Sequence, residues 1–260
     1  MLRRLKKRIT KHLYGKTTQE VLKSYRHIQD IDEITAKDDD YSYIVHYKNY
    51  SSNPLSQLCD KYGSDKGSAK TEGHVYNWVP HTYADFYHHL FGHCRTQIKA
   101  VFECGLGSNN VDVPSNMGAE GKPGASLRAW KDYFVNAEIY GADVDRDILF
   151  TEDHIQTFHV DQTDGTSVEA LWRQVGPITF DLMIDDGLHT FEAGVCLYKH
   201  SIARLSPGGF YVIEDVTPEN LDLFRTFFSE SPHHVSFINL IRPNKRIGNN
   251  SLVLIRKPEA

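Results

Sequence analysis

Three carboxylates and one imidazole have the types and the setting for chemistry. Asp186 lies in Asp185-Asp186-Gly187-Leu188-His189, directly after the apolar run FDLMID (180–185), and Glu214-Asp215 closes the run FYVIED (210–215). If those runs are neighbouring parallel strands, Asp186, Glu214 and Asp215 face one cleft. Three carboxylates that close repel one another, and a divalent cation relieves the repulsion. All-oxygen ligation suits Mg²⁺, or Mn²⁺ or Ca²⁺, rather than zinc. Any one of these acids could instead cap a helix or pair with Lys or Arg, but the set of three favours a metal. His189, three residues beyond Asp186, is the candidate general base: a cation lowers the pKa of a bound hydroxyl and an imidazole takes the proton. Its alternative is a bond to a backbone carbonyl. The other thirteen histidines have no comparable setting and read as surface or packing residues.

Such tips need a sheet behind them. Short apolar runs recur at 100–105, 137–143, 156–161, 180–185, 210–215, 235–240 and 251–256, with helix-like segments such as SLRAWKDYF and TFEAGVCLYKHSIARL between the earlier ones. Strand–helix alternation predicts an α/β, doubly wound Rossmann-like sheet, mostly parallel. LSPGGFYVIED reads as a helix end, a Pro-Gly-Gly turn and a buried strand. PNKRIGNN has turn chemistry, so the last two runs predict a C-terminal antiparallel hairpin. Ahead of the sheet, residues 54–97 read as a polar loop (DKYGSDKGSAKTEGH) and an aromatic helix (TYADFYHHLFGHCR). The predicted organisation is an N-terminal helical extension over 1–53 and a catalytic domain over 54–260.

Ligands of such sheets sit at the carboxyl ends of the strands. The run AVFECG ends in Glu103-Cys104-Gly105-Leu106-Gly107, where glycines let backbone approach a ligand. The dinucleotide fingerprint GxGxxG fails at Asn110, and the acid expected about 20 residues on is missing. Instead Asp143 ends the second run and Asp161-Gln162 the third. An acid after strand two suits a ribose diol and one after strand three suits an adenine amine, which favours S-adenosylmethionine over NAD. Methyl transfer is then an in-line displacement governed by positioning. The segment 108–125 is too rich in Gly and Pro for a helix and reads as a mobile flap over the cofactor or as an insertion.

LCDKYGSDKGS, FECGLG, GASLRAWKDYF, AEIYGADVD, HVDQTD, FDLMIDDGLH and GGFYVIEDV together resemble a bacterial family: the metal-dependent sugar O-methyltransferases of macrolide and aminocoumarin pathways, with rhamnosyl O-methyltransferase and cephalosporin-hydroxylase-like relatives. The resemblance spans roughly 55–256. It implies Mg²⁺ on Asp186, Glu214 and Asp215, with His189 as base. It also implies S-adenosylmethionine contacts at Glu103, Gly105, Gly107, Ser126, Asp143, Asp161 and Gln162, with Asp185 beside them. DKYGSDKG, Tyr83 and Tyr87 are expected to close over the cofactor. Residues 1–53 and the long loop after Gly107 depart from the pattern.

The expected activity is methyl transfer to a sugar hydroxyl of a natural-product glycoside or a surface-polysaccharide precursor. Two alternatives differ in class. A metal-dependent hydroxylase or hydrolase could use the same acids, although a 2-His-1-carboxylate iron site needs another histidine in register and the strand tips offer only His189. A non-catalytic scaffold has no need to keep acids and base together. Hydrophobic residues make up 40% of the chain, enough for a core, and no run is long and apolar enough to span a membrane. No secretory signal is visible, and four scattered cysteines read as reduced core thiols, so a cytoplasmic protein is expected. A net charge of −5 argues against nucleic acid as partner. That figure is uneven: residues 1–16 carry seven basic residues and no acid, leaving −12 on the rest. Leu2, Leu5, Ile9 and Leu13 put an apolar stripe on that basic helix, a possible contact for the inner membrane face or a partner. A homo-oligomer is expected.

Overall fold

The computed structural model describes residues 53–67, 75–242 and 247–259. The chain forms two compact units. The larger, Lys48–Leu240 with Asn249–Ala260, holds every helix and strand described below. The smaller, Met1–Tyr47 with Ile241–Gly248, lies almost wholly outside the described residues, as does the basic stripe of 1–16.

Two short helices come before the sheet. The first, α1 (Pro54–Tyr62), starts where Asn53 accepts from the amides of Leu55 and Ser56 and Pro54 supplies a preset φ. It stops at Gly63, whose left-handed φ of 89° no branched residue adopts cheaply. α2 is Tyr83–Phe91. Then come β1 (Ala100–Cys104), α3 (Ala125–Tyr133), β2 (Glu138–Asp143), β3 (Thr151–Glu152), β4 (Ile155–His159), α4 (Gly165–Val175), β5 (Phe180–Asp185), α5 (Phe191–Ser201), β6 (Leu205–Val216), α6 (Pro218–Phe228), β7 (His234–Asn239) and β8 (Ser251–Arg256). Side-chain oxygens of Asp164, Thr190 and Thr217 cap the first turns of α4, α5 and α6.

The sheet order is β3-β4-β2-β1-β5-β6-β8-β7. β4, β2, β1, β5 and β6 run parallel, as the alternation predicts. β7 and β8 pair antiparallel, and β8 inserts between β6 and β7. The order reverses between β1 and β5, so the crevice of the fold opens at the ends of those two strands. Two details differ from the sequence reading. Residues 54–62, left without a helix, form α1, because one apolar face (Leu55, Cys59) packs inward. The Pro-Gly-Gly segment lies within β6 rather than before it, as an irregularity: Phe180 faces Leu205, and pairing resumes only at Leu182–Phe210.

Alternation along the central strands feeds two cores. Phe102, Met183 and Tyr211 point to one face and pack with Trp172, Leu197 and Phe224 of α4, α5 and α6. Val101, Leu182 and Val212 point to the other and pack with Leu55, Tyr87 and Trp130 of α1, α2 and α3. Helices on both faces leave only the strand ends for polar chemistry. The four cysteines are free thiols, and Cys59 and Cys104 are buried. Among the described residues no helix is long and apolar enough to cross a membrane. Leu182 is fully buried at the centre of this sheet, so Leu182→Ala should cost about 2–5 kcal/mol in urea unfolding, with little change in slope.

Candidate active site

The turns after β1 and β5 meet almost in contact. Gly105 adopts φ +95°, and a Cβ there would stand 2.0 Å from the Asp186 carbonyl oxygen. The Gly105 amide bonds to the Ala142 carbonyl, and the Asp186 amide to the Cys104 carbonyl, so each turn is pinned to a neighbouring strand. Gly107 is also left-handed, at φ +74°. The acids at the ends of β1, β5 and β6 therefore share one crevice.

Asp186 is central. One oxygen, Oδ1, lies 3.3 Å from His189 Nε2, and the other, Oδ2, accepts from Lys66 Nζ at 2.6 Å. His189 Nδ1 stands 3.6 Å from Asp215 Oδ2. Ligand atoms of Asp186, His189 and Asp215 all lie within 4.8 Å of one another, close enough for one ion. Glu214 faces a different set: its carboxylate accepts from Tyr87 Oη at 2.6 Å and from Lys66 Nζ. Burial pushes the Glu214 carboxyl up to about 8 against the pull of Lys66, with repulsion from Asp186 and Glu103 adding to it. Burial would also raise Asp186, but Lys66 and His189 hold it well below the usual carboxylate range. For His189, burial would lower the pKa, yet the bond to Asp186 and the charges of Asp215, Asp186 and Asp185 lift it to about 9. An imidazolium cannot accept a proton, so His189 needs more positive charge on these acids before it can act as a base.

Asp215 and His189 both hold left-handed backbone, φ +54° and +61°, which costs about 1–2 kcal/mol each for residues with a Cβ. The surroundings enforce it. Tyr83 Oη donates to Asp215 Oδ1 at 2.6 Å and accepts from the Asp215 amide at 3.1 Å, while Asn220 Nδ2 donates to the His189 carbonyl at 3.3 Å. His81 Nδ1 sits 2.5 Å from Asp215 Oδ1, and its pKa is raised to about 8: burial opposes the charged form, but Asp215 outweighs it.

The remaining expected contacts line the same strand ends. Glu103 is fully buried, accepts from Trp130 Nε1, and lies beside Ser126 in the first turn of α3. Its Oε1 has no hydrogen-bond partner. Asp143 spends its oxygens on the amides of Leu106 and Asp145, at 2.7 and 2.9 Å, and so shapes the glycine turn. Gln162 is committed likewise: Nε2 donates to Asp185 Oδ1 at 3.0 Å and Oε1 accepts from the Leu188 amide at 2.8 Å. A Cβ at Gly187 would fall 1.7 Å from Gln162 Oε1 and would push that side chain off its bonds. Burial lifts Asp185 to about 6 against the Gln162 bond. Asp161 holds the Thr163 amide and stays half-buried at the crevice edge. The loop 108–124 has no helix. It folds back on itself, with the Met117 amide on the Ser108 carbonyl, and Ser115 Oγ reaches the Leu188 carbonyl.

Three features escaped the sequence reading. Lys66, in the DKYGSDKG segment expected over the cofactor, enters the acid cluster from the turn after α1. His81, expected to be a surface or packing residue, bonds Asp215 instead. Tyr83 and Tyr87, expected over the cofactor, direct their hydroxyls at Asp215 and Glu214. The four-residue spacing of Tyr83 and Tyr87 on one helix could have signalled a shared target; Lys66 and His81 carry no periodic signal.

No protein-family model matches the chain. Over 162 residues it is 36% identical to the 8-demethyl-8-alpha-L-rhamnosyl tetracenomycin-C 2'-O-methyltransferase of Streptomyces olivaceus, covering 62% of this chain and 37% of that protein. Over 162 residues it is 32% identical to the mycinamicin VI 2''-O-methyltransferase of Micromonospora griseorubida, covering 62% of this chain and 36% of that protein. The chain thus spans little more than a third of the length of these relatives. Its fold resembles that of the MycE methyltransferase of mycinamycin biosynthesis, solved with Mg, SAH and mycinamycin VI: the TM-score is 0.56 at 23% identity, over 79% of this chain and 55% of that one. The resemblance drawn from the motifs is borne out: the relatives are O-methyltransferases by name, one of them of a rhamnosyl compound, and the fold is shared with a methyltransferase.

Tyr83→Phe strips the Asp215 amide and carboxylate of one shared partner. It should cost about 1–3 kcal/mol in thermal or urea unfolding, whereas Phe86→Leu, outside this network, should cost less.

Proposed function

We propose that this chain is a Mg²⁺-dependent O-methyltransferase that uses S-adenosylmethionine to methylate a hydroxyl of a sugar, borne on a natural product or on a surface-polysaccharide precursor. The observation that carries the reading is the convergence of Asp186, His189 and Asp215 at the ends of β5 and β6, beside the Gly105 turn. The curated relatives, O-methyltransferases by name, one of them of a rhamnosyl tetracenomycin, support the reaction class. The fold neighbour solved with Mg and SAH supports the pair of cofactors.

The residues present fit both groups. Carboxylate oxygens of Asp186 and Asp215 near one imidazole form a donor set that Mg²⁺ accepts. Glu214 is the third acid of the expected set and lies behind Asp186, on Lys66 and Tyr87. Gly105 and Gly107 leave the β1 turn without side chains where a nucleoside would approach, with Asp161 at the edge. When bound, S-adenosylmethionine supplies an electrophilic methyl group and Mg²⁺ supplies a Lewis acid that makes a sugar hydroxyl more acidic.

The chain's own part is to position and to move one proton. Asp186 and Asp215 would hold the cation at the ends of β5 and β6, beside His189. His189 takes the hydroxyl proton onto its ring, and the same two carboxylates, 3.3 and 3.6 Å from its nitrogens, stabilise the imidazolium that results. Gln162 and Gly187 hold the loop that carries Asp185, Asp186 and His189. Asp143 holds the β1 turn against β2.

Asp186→Ala is expected to abolish turnover. His189→Ala should lower kcat by about 10²–10⁴-fold while S-adenosylhomocysteine binding, read by calorimetry, is largely kept. Full activity in excess EDTA would remove the metal from this reading, and absence of S-adenosylhomocysteine binding would remove the methyl donor.

A further inference from the structure

Lys66 is a deeply buried charge of the crevice that the methyl-transfer chemistry leaves unused. Its side chain is 2% exposed. Nζ donates to Asp186 Oδ2 at 2.6 Å and to Glu214 Oε2, and lies 3.4 Å from Glu103 Oε1, the fully buried oxygen that has no hydrogen-bond partner. Burying an ammonium is costly unless it is paired. Here three acids from β1, the β5 turn and β6 pair it, and although burial would lower its pKa they hold it well above its ordinary range. The backbone is fixed too. The carbonyls of Asp65, Lys66 and Gly67 accept from the amides of His81, Ala84 and Thr82, so the turn after α1 is tied to the start of α2.

Asp186 divides its two oxygens between neighbours: Oδ2 serves Lys66, and Oδ1 belongs to the group with His189 and Asp215. Two cation positions therefore lie side by side and share one carboxylate. We propose that Lys66 permanently fills the second of them, so that its ammonium takes the place of a metal ion among Glu103, Asp186 and Glu214 and confines the crevice to a single exchangeable ion on Asp186 and Asp215. This rests on the metal reading above. A tethered ammonium cannot dissociate, so it holds Glu214 and Asp186 in place whether or not the exchangeable ion is present. Its three donors have fixed reach, which a hydrated divalent ion does not.

The test counts ions. Wild type, Lys66→Ala and Lys66→Arg are titrated with Mn²⁺, free ion being read by electron paramagnetic resonance, and each is melted in EDTA and in Mn²⁺. Lys66→Ala empties the position between three acids and should bind one Mn²⁺ more than wild type; Lys66→Arg keeps the charge and should match wild type. Lys66→Ala should also melt well below wild type in EDTA and regain much of the difference in Mn²⁺. An equal ion count in wild type and Lys66→Ala overturns the proposal, as does a Lys66→Ala that melts alike, or fails to fold alike, with and without Mn²⁺. The metal reading is judged separately by the wild-type count: zero ions there defeats that reading, while one ion in Lys66→Ala would still uphold the role of Lys66.

Discussion

Carboxylates gathered at the end of a parallel sheet must share positive charge, and everything near the crevice follows from that requirement. Glu103, Asp186, Glu214 and Asp215 end three adjacent strands. Each has water on at most one side, and their mutual repulsion is strong in so small a space. The chain answers with Lys66, with His81 and His189, and with two tyrosine hydroxyls, all brought to the acids from outside the strands that carry them. The donors of the segment between α1 and α2 are thus as much a part of the sheet's end as the strand residues themselves.

This explains why the front of the domain is built as it is. α1 and α2 pack Leu55, Tyr87 and Phe91 against the face of the sheet that carries Val101, Leu182 and Val212. Apolar packing supplies the anchoring, and its geometry delivers a row of polar tips to the strand ends. Tyr87 does both: its ring packs edge-on against Trp130 with centroids 5.0 Å apart, and its hydroxyl meets Glu214. Trp130 likewise lies in the core and donates to Glu103.

Much of this was legible in the residues themselves. Recurring apolar runs, strand–helix alternation and the turn chemistry of PNKRIGNN gave the parallel sheet and its closing hairpin, because strand runs buried on both faces read as continuous apolar stretches. The rule that polar chemistry sits at strand ends put Glu103, Asp143, Asp186, His189, Glu214 and Asp215 in one crevice. Local pattern could not say how those groups spend their oxygens. Asp143 and Gln162 read only as ligand contacts in the sequence, yet Asp143 also accepts from two backbone amides and Gln162 also bonds Asp185 and the Leu188 amide, since a turn must have its amides satisfied somewhere. Lys66 and His81 were illegible for another reason. They sit 120 and 134 residues from Asp186 and Asp215, in a turn and a loop with no periodicity, and only the docking of α1 and α2 decides where they point.

The near-contact of Gly105 with the Asp186 carbonyl ties two binding events together. No side chain fits between the β1 turn and the β5 turn, so neither can shift without pushing the other. Under the proposed function, a nucleoside on the glycine turn and an ion on Asp186 would therefore act on one rigid piece of backbone. Whatever free energy one of them spends in settling that piece is no longer owed by the other. Thermodynamic reciprocity then requires each to change the other's affinity by the same factor. The two ligand sites of the proposed function would thus be joined by one mechanical element.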